Sequence, residues 1–235
     1  MGEQEWGSIW SRRSATQLSG GSVLAGLLAA NGYDNAQSKF SEQAWRAHIM
    51  GWARRLGVGG GDSVFEVGCG AGAVLYVLSE AGVDVSGMDL SPGLIEAAKE
   101  AMPAGHFEVG EAADLRVDPR VDACVAVGVF LYFPSFDYAR RVVSAMADKA
   151  TRAVAVLDLP DLAKREASEA FRAEMAGGVD AYRARYAGLE HRYYEKGFMV
   201  EALESCGLVD VACADQDLEG YPNGRYRFNC WGFKA

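Results

Sequence analysis

The sequence predicts an α/β protein built on a doubly wound, mostly parallel sheet, and three observations carry that expectation. The apolar run Val64-Phe65-Glu66-Val67 leads directly into Gly68-Cys69-Gly70-Ala71-Gly72 and then into a helical pattern beginning at Ala73. Asp89 closes the next apolar run, 21 residues beyond Gly68. From there to Pro160, short runs rich in Val and Ala alternate with patterns of helical period, as strands joined by crossover helices do. Glycine suits the turn after the first run, because a side chain would keep the backbone from a ligand and would oppose a positive φ. The N–H groups that open the following helix then favour a negatively charged group.

The chain has 235 residues, 50% of them apolar, enough to bury one core, so a single domain is expected. It divides into an N-terminal helical cap (1–58), a cofactor-binding core (59–160) and a lid or substrate segment with the C-terminal strands (161–235). A formal charge of −9 opposes a nucleic-acid partner, which needs clustered Lys and Arg, and leaves a cationic substrate open. No apolar run reaches the length of a membrane span. Cys69, Cys124, Cys206, Cys213 and Cys230 form no CxxC pair and leave an odd count. Neither a disulfide framework nor a zinc site is expected, and a reducing cytoplasm is the expected setting.

Taken in order, the cap begins with the stretch 11–13, Ser-Arg-Arg, ahead of the apolar run 22–30, a superficial likeness to a twin-arginine export signal. Leu24, Leu27 and Leu28 fall at helical spacing and favour a packed helix instead. Over 41–57 an amphipathic helix places Trp45, His48, Ile49, Trp52 and Leu56 on one face, with Ser41 as N-cap and Gly57 just past its end. Trp6, Trp10, Trp45 and Trp52 give this quarter of the chain a large apolar payload. Strands are expected at 63–67, 84–89, 106–109, 123–127 and 153–157, and helices at 73–81, 92–101 and 137–147; Ser91 and Pro92 open the second of these helices. Beyond Pro160 a charged helix runs over 161–175 to Gly177-Gly178. A short helix (198–206) precedes strands at 208–214 and 225–233, which can pair as an antiparallel hairpin at the sheet edge.

With the elements in place, the motifs resemble those of the class I S-adenosylmethionine-dependent methyltransferases, from Asp62 to the C-terminus. Glu66-x-Gly68-x-Gly70-x-Gly72 is similar to the first motif of that family, Asp89 to the second, and Gly110-Glu111-Ala112-Ala113-Asp114-Leu115 to the third. Val127-Gly128-Val129-Phe130-Leu131-Tyr132-Phe133 is similar to the segment that borders the methyl group and the acceptor. The resemblance implies a Rossmann-like, seven-stranded sheet with an antiparallel C-terminal edge hairpin. It implies S-adenosyl-L-methionine as cofactor, with S-adenosyl-L-homocysteine as product. The implied acceptor is a small molecule, methylated on N or O, of the kind met in bacterial secondary-metabolite or glycan biosynthesis. Cofactor contacts are implied for Glu66, Gly68, Cys69, Gly70, Gly72, Asp89, Leu90, Ala113, Asp114 and Val127. Asp89 would accept from both ribose hydroxyls, Glu66 would either hold the ammonium, directly or through water, or cap the turn's own N–H groups, and Asp114 with the Ala113 N–H would face the adenine. The Asn/Asp-Pro-Pro-Tyr type of motif is absent after the fourth strand, which disfavours macromolecular acceptors.

Acceptor-side candidates are Tyr33, Phe130, Tyr132, Tyr186, His191, Tyr221 and Arg225, with His191 and Tyr132 as the catalytic pair and no metal ligand among them. His191 is the best-placed general base of three histidines. Phe130 and Tyr132 either face the cationic cofactor or pack under the sheet edge. The region 161–194 is a candidate lid. A possible homodimer is the one protein partner considered. Two other readings stay open: an NAD(P)-dependent oxidoreductase, since Gly68-x-Gly70-x-x-Ala73 satisfies the loose dinucleotide fingerprint, and a cofactor-binding protein that transfers no methyl group. Against the first stand the long cap before the motif, the acid before Gly68, and the absence of a Tyr-x-x-x-Lys pair.

Overall fold

The computed structural model describes residues 21–33, 39–186 and 190–235, apart from the side chains of residues 185 and 186. Trp6, Trp10, the 11–13 stretch and the Tyr186 side chain lie outside the described residues. The strands are β1 (Ser63–Val67), β2 (Asp84–Asp89), β3 (His106–Val109), β4 (Val121–Val127), β5 (Ala150–Pro160), β6 (Leu208–Asp215) and β7 (Arg227–Lys234). They form one sheet in the order β3-β2-β1-β4-β5-β7-β6. The first five run parallel, and β7 is antiparallel to both β5 and β6. This is the mostly parallel sheet with an antiparallel edge that the sequence implies.

The helices are α1 (Val23–Ala30), α2 (Glu42–Arg55), α3 (Ala73–Glu80), α4 (Pro92–Ala101), α5 (Phe136–Lys149), α6 (Arg165–Met175), α7 (Val179–Tyr186) and α8 (Lys196–Glu204). Ser22, Ser41, Ser91 and Ser135 each accept a backbone N–H at a helix start, satisfying donors that the helix itself leaves open. Side chains alternate across the strands, so the sheet has two cores. Val64, Ala123, Val125 and Ala155 face α1 to α4, where Leu24, Leu27, Trp45 and Ile49 are buried. Phe65, Val67, Cys124 and Val156 face α5 and α8, among Val142, Met146, Met199 and Leu203. No helix among the described residues is long and apolar enough to cross a membrane.

The structure corrects the sequence reading at four places. β5 spans eleven residues where the apolar run suggests five, because β4 and β7 on its two sides supply ladder partners beyond the run. The charged stretch after Pro160 starts as a 3-10 turn at Leu162–Lys164 and continues past Gly177-Gly178 into a second helix, α7. The last strand starts at Arg227, since Pro222–Tyr226 forms a 3-10 turn first. Cys213 and Cys230 are joined in a disulfide, against the expectation of none. They stand directly opposite each other in the β6–β7 register, a proximity that the pairing sets and that spacing along the chain does not reveal.

A fifth correction concerns Phe130, a candidate for the acceptor pocket. It is 2% exposed, and its ring packs on Phe133 at 4.5 Å and Tyr194 at 6.1 Å between centroids. It is a core residue of the α5/α8 face. Phe130→Ala is accordingly expected to destabilise the protein by about 3–5 kcal/mol in urea unfolding; a loss below about 1 kcal/mol would return it to the pocket.

Candidate active site

Strand order reverses between β1 and β4, so the chain leaves their carboxyl ends in opposite directions and a crevice opens there. Its first wall is the glycine turn after β1. The N–H groups of Gly68 and Cys69 both donate to the Met88 carbonyl, at 2.8 and 3.0 Å, which ties the turn to β2. Asp89, at the end of β2, accepts the Gly70 N–H on Oδ2 and the Ser91 N–H on Oδ1, each at 2.9 Å. Burial raises its pKa while these backbone donors oppose the rise. The turn is clipped from above by Asn31, just after α1, whose Oδ1 accepts the Ala71 N–H at 2.6 Å. A Cβ on Gly70, at φ +55°, would stand 2.3 Å from that Oδ1, so glycine is required by the approach of Asn31 as well as by the turn. Trp45 adds a second clip, its indole N–H donating to the Ala73 carbonyl at 3.1 Å.

The glycines and Cys69 do not all face the crevice. A Cβ on Gly72 would lie 2.5 Å from Met102 Cε, and one on Gly68 2.5 Å from a Val129 methyl; both glycines serve close packing. The Cys69 thiol is buried against Gly87, so only its backbone belongs to the turn. Glu66, under the turn, is 2% exposed, and its Oε2 has no hydrogen-bond partner. Burial, then Asp89, raises its pKa well above the ordinary carboxylate value. Buried polar atoms are nearly always paired, so this oxygen marks a place for a donor.

On the far side of β2, Leu90 is 39% exposed and Asp114 is exposed. The Ala113 N–H, expected to face the adenine, donates instead to Tyr138 Oη at 3.2 Å, and that hydroxyl donates to Glu111 at 3.0 Å. Burial pushes the Tyr138 phenol up to about 12. Val127 ends β4, half-buried, and joins the apolar layer on the α1 to α4 face.

The second wall is organised by Asp158, which sequence reasoning missed. It lies at a register shift between β5 and β7 and has φ +61°, a left-handed conformation that Asp tolerates better than most residues. Its N–H donates to Asn229 Oδ1 at 2.8 Å and its carbonyl accepts from Arg227 Nη1 at 3.1 Å. Its carboxylate accepts from Tyr221 at 3.1 Å and from Gln216 at 3.4 Å. Tyr33 packs on Tyr221 and Trp45, and burial, then Asp158, raises its pKa well above that of a free phenol. Arg227 Nε, Asn229 Nδ2 and Asn223 Oδ1 are buried and unpartnered. Arg225 is exposed and stacks on Phe171 and Tyr226, which corrects its placement in the acceptor pocket: Arg227, two residues on, is the one that points inward.

His191 and Tyr132 are brought together, with ring centroids 5.5 Å apart. The segment that carries His191 is strapped down by the Arg192 N–H to the Leu131 carbonyl at 2.9 Å and by Tyr194 Oη to the Phe130 carbonyl at 2.8 Å. Arg172, buried on α6, reaches His191 Nδ1 at 2.5 Å. A guanidinium can only donate, so Nδ1 accepts and the neutral ring carries its proton on Nε2. Burial, then Arg172 and Arg227, lowers the His191 pKa well below 6.5. In this geometry Arg172 occupies the Nδ1 lone pair, the one a general base on that nitrogen would use.

Residues 64–152 match the family model described as "Methyltransferase domain". A magnesium-protoporphyrin O-methyltransferase of Rhodobacter capsulatus is 34% identical over 85 residues, covering 34% of this chain and 38% of that protein. A malonyl-[acyl-carrier protein] O-methyltransferase of Serratia marcescens is 27% identical over 99 residues, or 40% of this chain and 38% of that protein. The matched stretch thus spans 38% of the length of either relative. The solved magnesium protoporphyrin IX methyltransferase of Synechocystis with bound S-adenosylhomocysteine superposes with a TM-score of 0.66 at 16% identity, covering 100% of both chains. That likeness is one of fold.

The lowered His191 pKa has a stability consequence. An unfolded histidine takes up a proton below about 6.5 that the folded ring excludes, so this group destabilises the fold as pH drops below that value. His48, also lowered, chiefly by burial, acts in the same direction, and the raised Glu66 acts in the opposite one. The difference between wild type and His191→Gln isolates the His191 contribution. The variant is expected to lose stability less steeply than wild type from pH ~6.5 downward in urea unfolding; parallel curves would contradict the neutral ring.

Proposed function

We propose that this chain, which carries a class I methyltransferase domain, transfers the methyl group of S-adenosylmethionine to a small-molecule acceptor. The unpaired, buried Glu66 Oε2 beneath the glycine turn carries this reading, because it awaits a donor where the cofactor's ammonium belongs. Asp89 supports it: its carboxylate is oriented by two backbone N–H groups, and each oxygen retains a lone pair for a ribose hydroxyl. S-adenosylmethionine supplies, when bound, an activated methyl group on a cationic sulfur.

The protein's own work is alignment, since a thioether leaves without an acid. Orientation of the reacting pair supplies up to about 7–11 kcal/mol in favourable cases. Tyr132 and the Gly128 turn border the transfer point, and Val127 and Leu90 line the cofactor. Residues 161–194 act as the lid on the acceptor side, and within that segment Tyr193 Oη donates to Ser168 Oγ at 3.2 Å. The two relatives named above bear the name O-methyltransferase, which supports oxygen over nitrogen as the accepting atom.

Asp89→Ala removes a charged acceptor of two hydrogen bonds, each worth about 1.5–3 kcal/mol. Calorimetric affinity for S-adenosylhomocysteine is expected to fall at least tenfold. An unchanged affinity would overturn the assignment of this carboxylate and of the crevice.

A further inference from the structure

The disulfide between Cys213 and Cys230 closes a loop, residues 214–229, that holds the second wall of the crevice together. Gln216 and Tyr221 in this loop donate to the Asp158 carboxylate, while Arg227 and Asn229 bind the Asp158 backbone. The loop also docks on the N-terminal cap. The Lys39 N–H donates to the Gly220 carbonyl at 3.0 Å, Tyr221 packs on Phe40 and Tyr33 at 6.1 and 6.4 Å between centroids, and His48 Nδ1 lies 3.2 Å from the Asp217 carboxylate. Backbone pairing around the disulfide is interrupted on both sides of β7. The β6–β7 register shifts between Val209 and Ala212, and the β5–β7 register shifts just beyond the Val156–Cys230 pair. Side-chain pairing leaves the loop short as well: Asn223 Oδ1, Arg227 Nε and Asn229 Nδ2 are buried without partners, a cost that few buried polar atoms carry. A covalent tie at the base of the loop offsets both deficits, because it restricts the conformations open to the loop once its contacts let go.

We propose that the Cys213–Cys230 bond is a redox switch on this wall, opened by a dithiol at Cys213. The switch acts on the anchorage of the loop and does not depend on methyl transfer. Its two sulfurs differ in access. β6 is an edge strand, paired with β7 alone, and Cys213 on it is half-buried, whereas Cys230 on the inner strand is fully buried. An incoming thiolate therefore meets Cys213 Sγ. The Sγ–Sγ bond breaks as the new sulfur–sulfur bond forms, and Cys230 leaves as a thiolate that takes up a proton. The second sulfur of the dithiol, deprotonated, then displaces the Cys213 thiolate, which is protonated in turn. Two electrons and two protons pass to the protein, and the dithiol ends as a disulfide. A two-electron thiol oxidant removes the same electrons and protons, and the strand register keeps the two cysteines opposite each other for reclosure. In the open state the contacts on Asp158, a non-glycine residue at φ +61°, lose the tie that secures them, and the wall loosens.

Peptide mapping without reductant, after treatment with diamide, is expected to show Cys213 linked to Cys230. Free thiols at both positions after that treatment overturn the switch. Dithiothreitol and iodoacetamide applied to the folded protein are expected to label Cys213, whereas Cys206, a free and half-buried thiol, is labelled with or without reductant. Labelling of Cys213 in denaturant alone marks an inert staple and overturns the inference. The Lys39, Asp158 and Gln216 N–H groups are bonded to Gly220, Asn229 and Arg227 of the loop. Their amide exchange, followed by NMR, is expected to quicken at least tenfold on reduction while the β1 amides keep their rate. Equal exchange in the two states, or an equal quickening in β1, overturns the local coupling. Cys213→Ser is expected to exchange at the reduced rate with or without dithiothreitol. Retention of the slow, oxidised rate in that variant overturns the role of the bond.

Discussion

Everything in the candidate site depends on one constraint, the reversal of strand order between β1 and β4. Loops that leave adjacent parallel strands in opposite directions cannot cover the gap between them. The gap is walled on one side by the glycine turn tied to Met88 and Asp89 and on the other by the segment after β4. The N-terminal cap then becomes part of the site rather than an appendage. Asn31 and Trp45 hydrogen-bond to the first residues of the turn and of α3, so α1 and α2 are positioned by the same backbone that shapes the crevice.

The opposite wall is ordered by a strained residue. A non-glycine residue in the left-handed region costs about 1–3 kcal/mol unless its surroundings hold it there. Asp158 is held by contacts from Asn229, Arg227, Tyr221 and Gln216. The same contacts hold Arg227 and Asn229 beside it, each with a buried nitrogen that has no partner.

The central fold was legible because each local signal was strong. β1, β2, β3 and α4 have the expected bounds, set by apolar runs with a glycine, Asp89 or a Ser-Pro cap at an end. Polar residues buried by distant elements were harder to read. Asp158 closes a buried run just as Asp89 does, and that position was a usable signal. Arg227 and Asn229 alternate with Phe228 and Cys230 at a period of two, which was a second one. Arg172 gave no such sign: on a charged helix it resembles a solvated side chain, and only the packing of α6 buries it. Phe130 and Arg225 were misplaced for the converse reason, since the sequence shows an aromatic or a cation without showing which way its element faces.

Thermal unfolding followed with S-adenosylhomocysteine, and separately with NADH and NADPH, tests most directly which nucleoside the crevice holds. A ligand at 100 times its Kd stabilises a fold by about 2.7 kcal/mol, well above the resolution of such a measurement. The expected result is a shift with S-adenosylhomocysteine alone. A shift with a nicotinamide nucleotide alone would contradict methyl transfer and replace it with redox chemistry on the same fold.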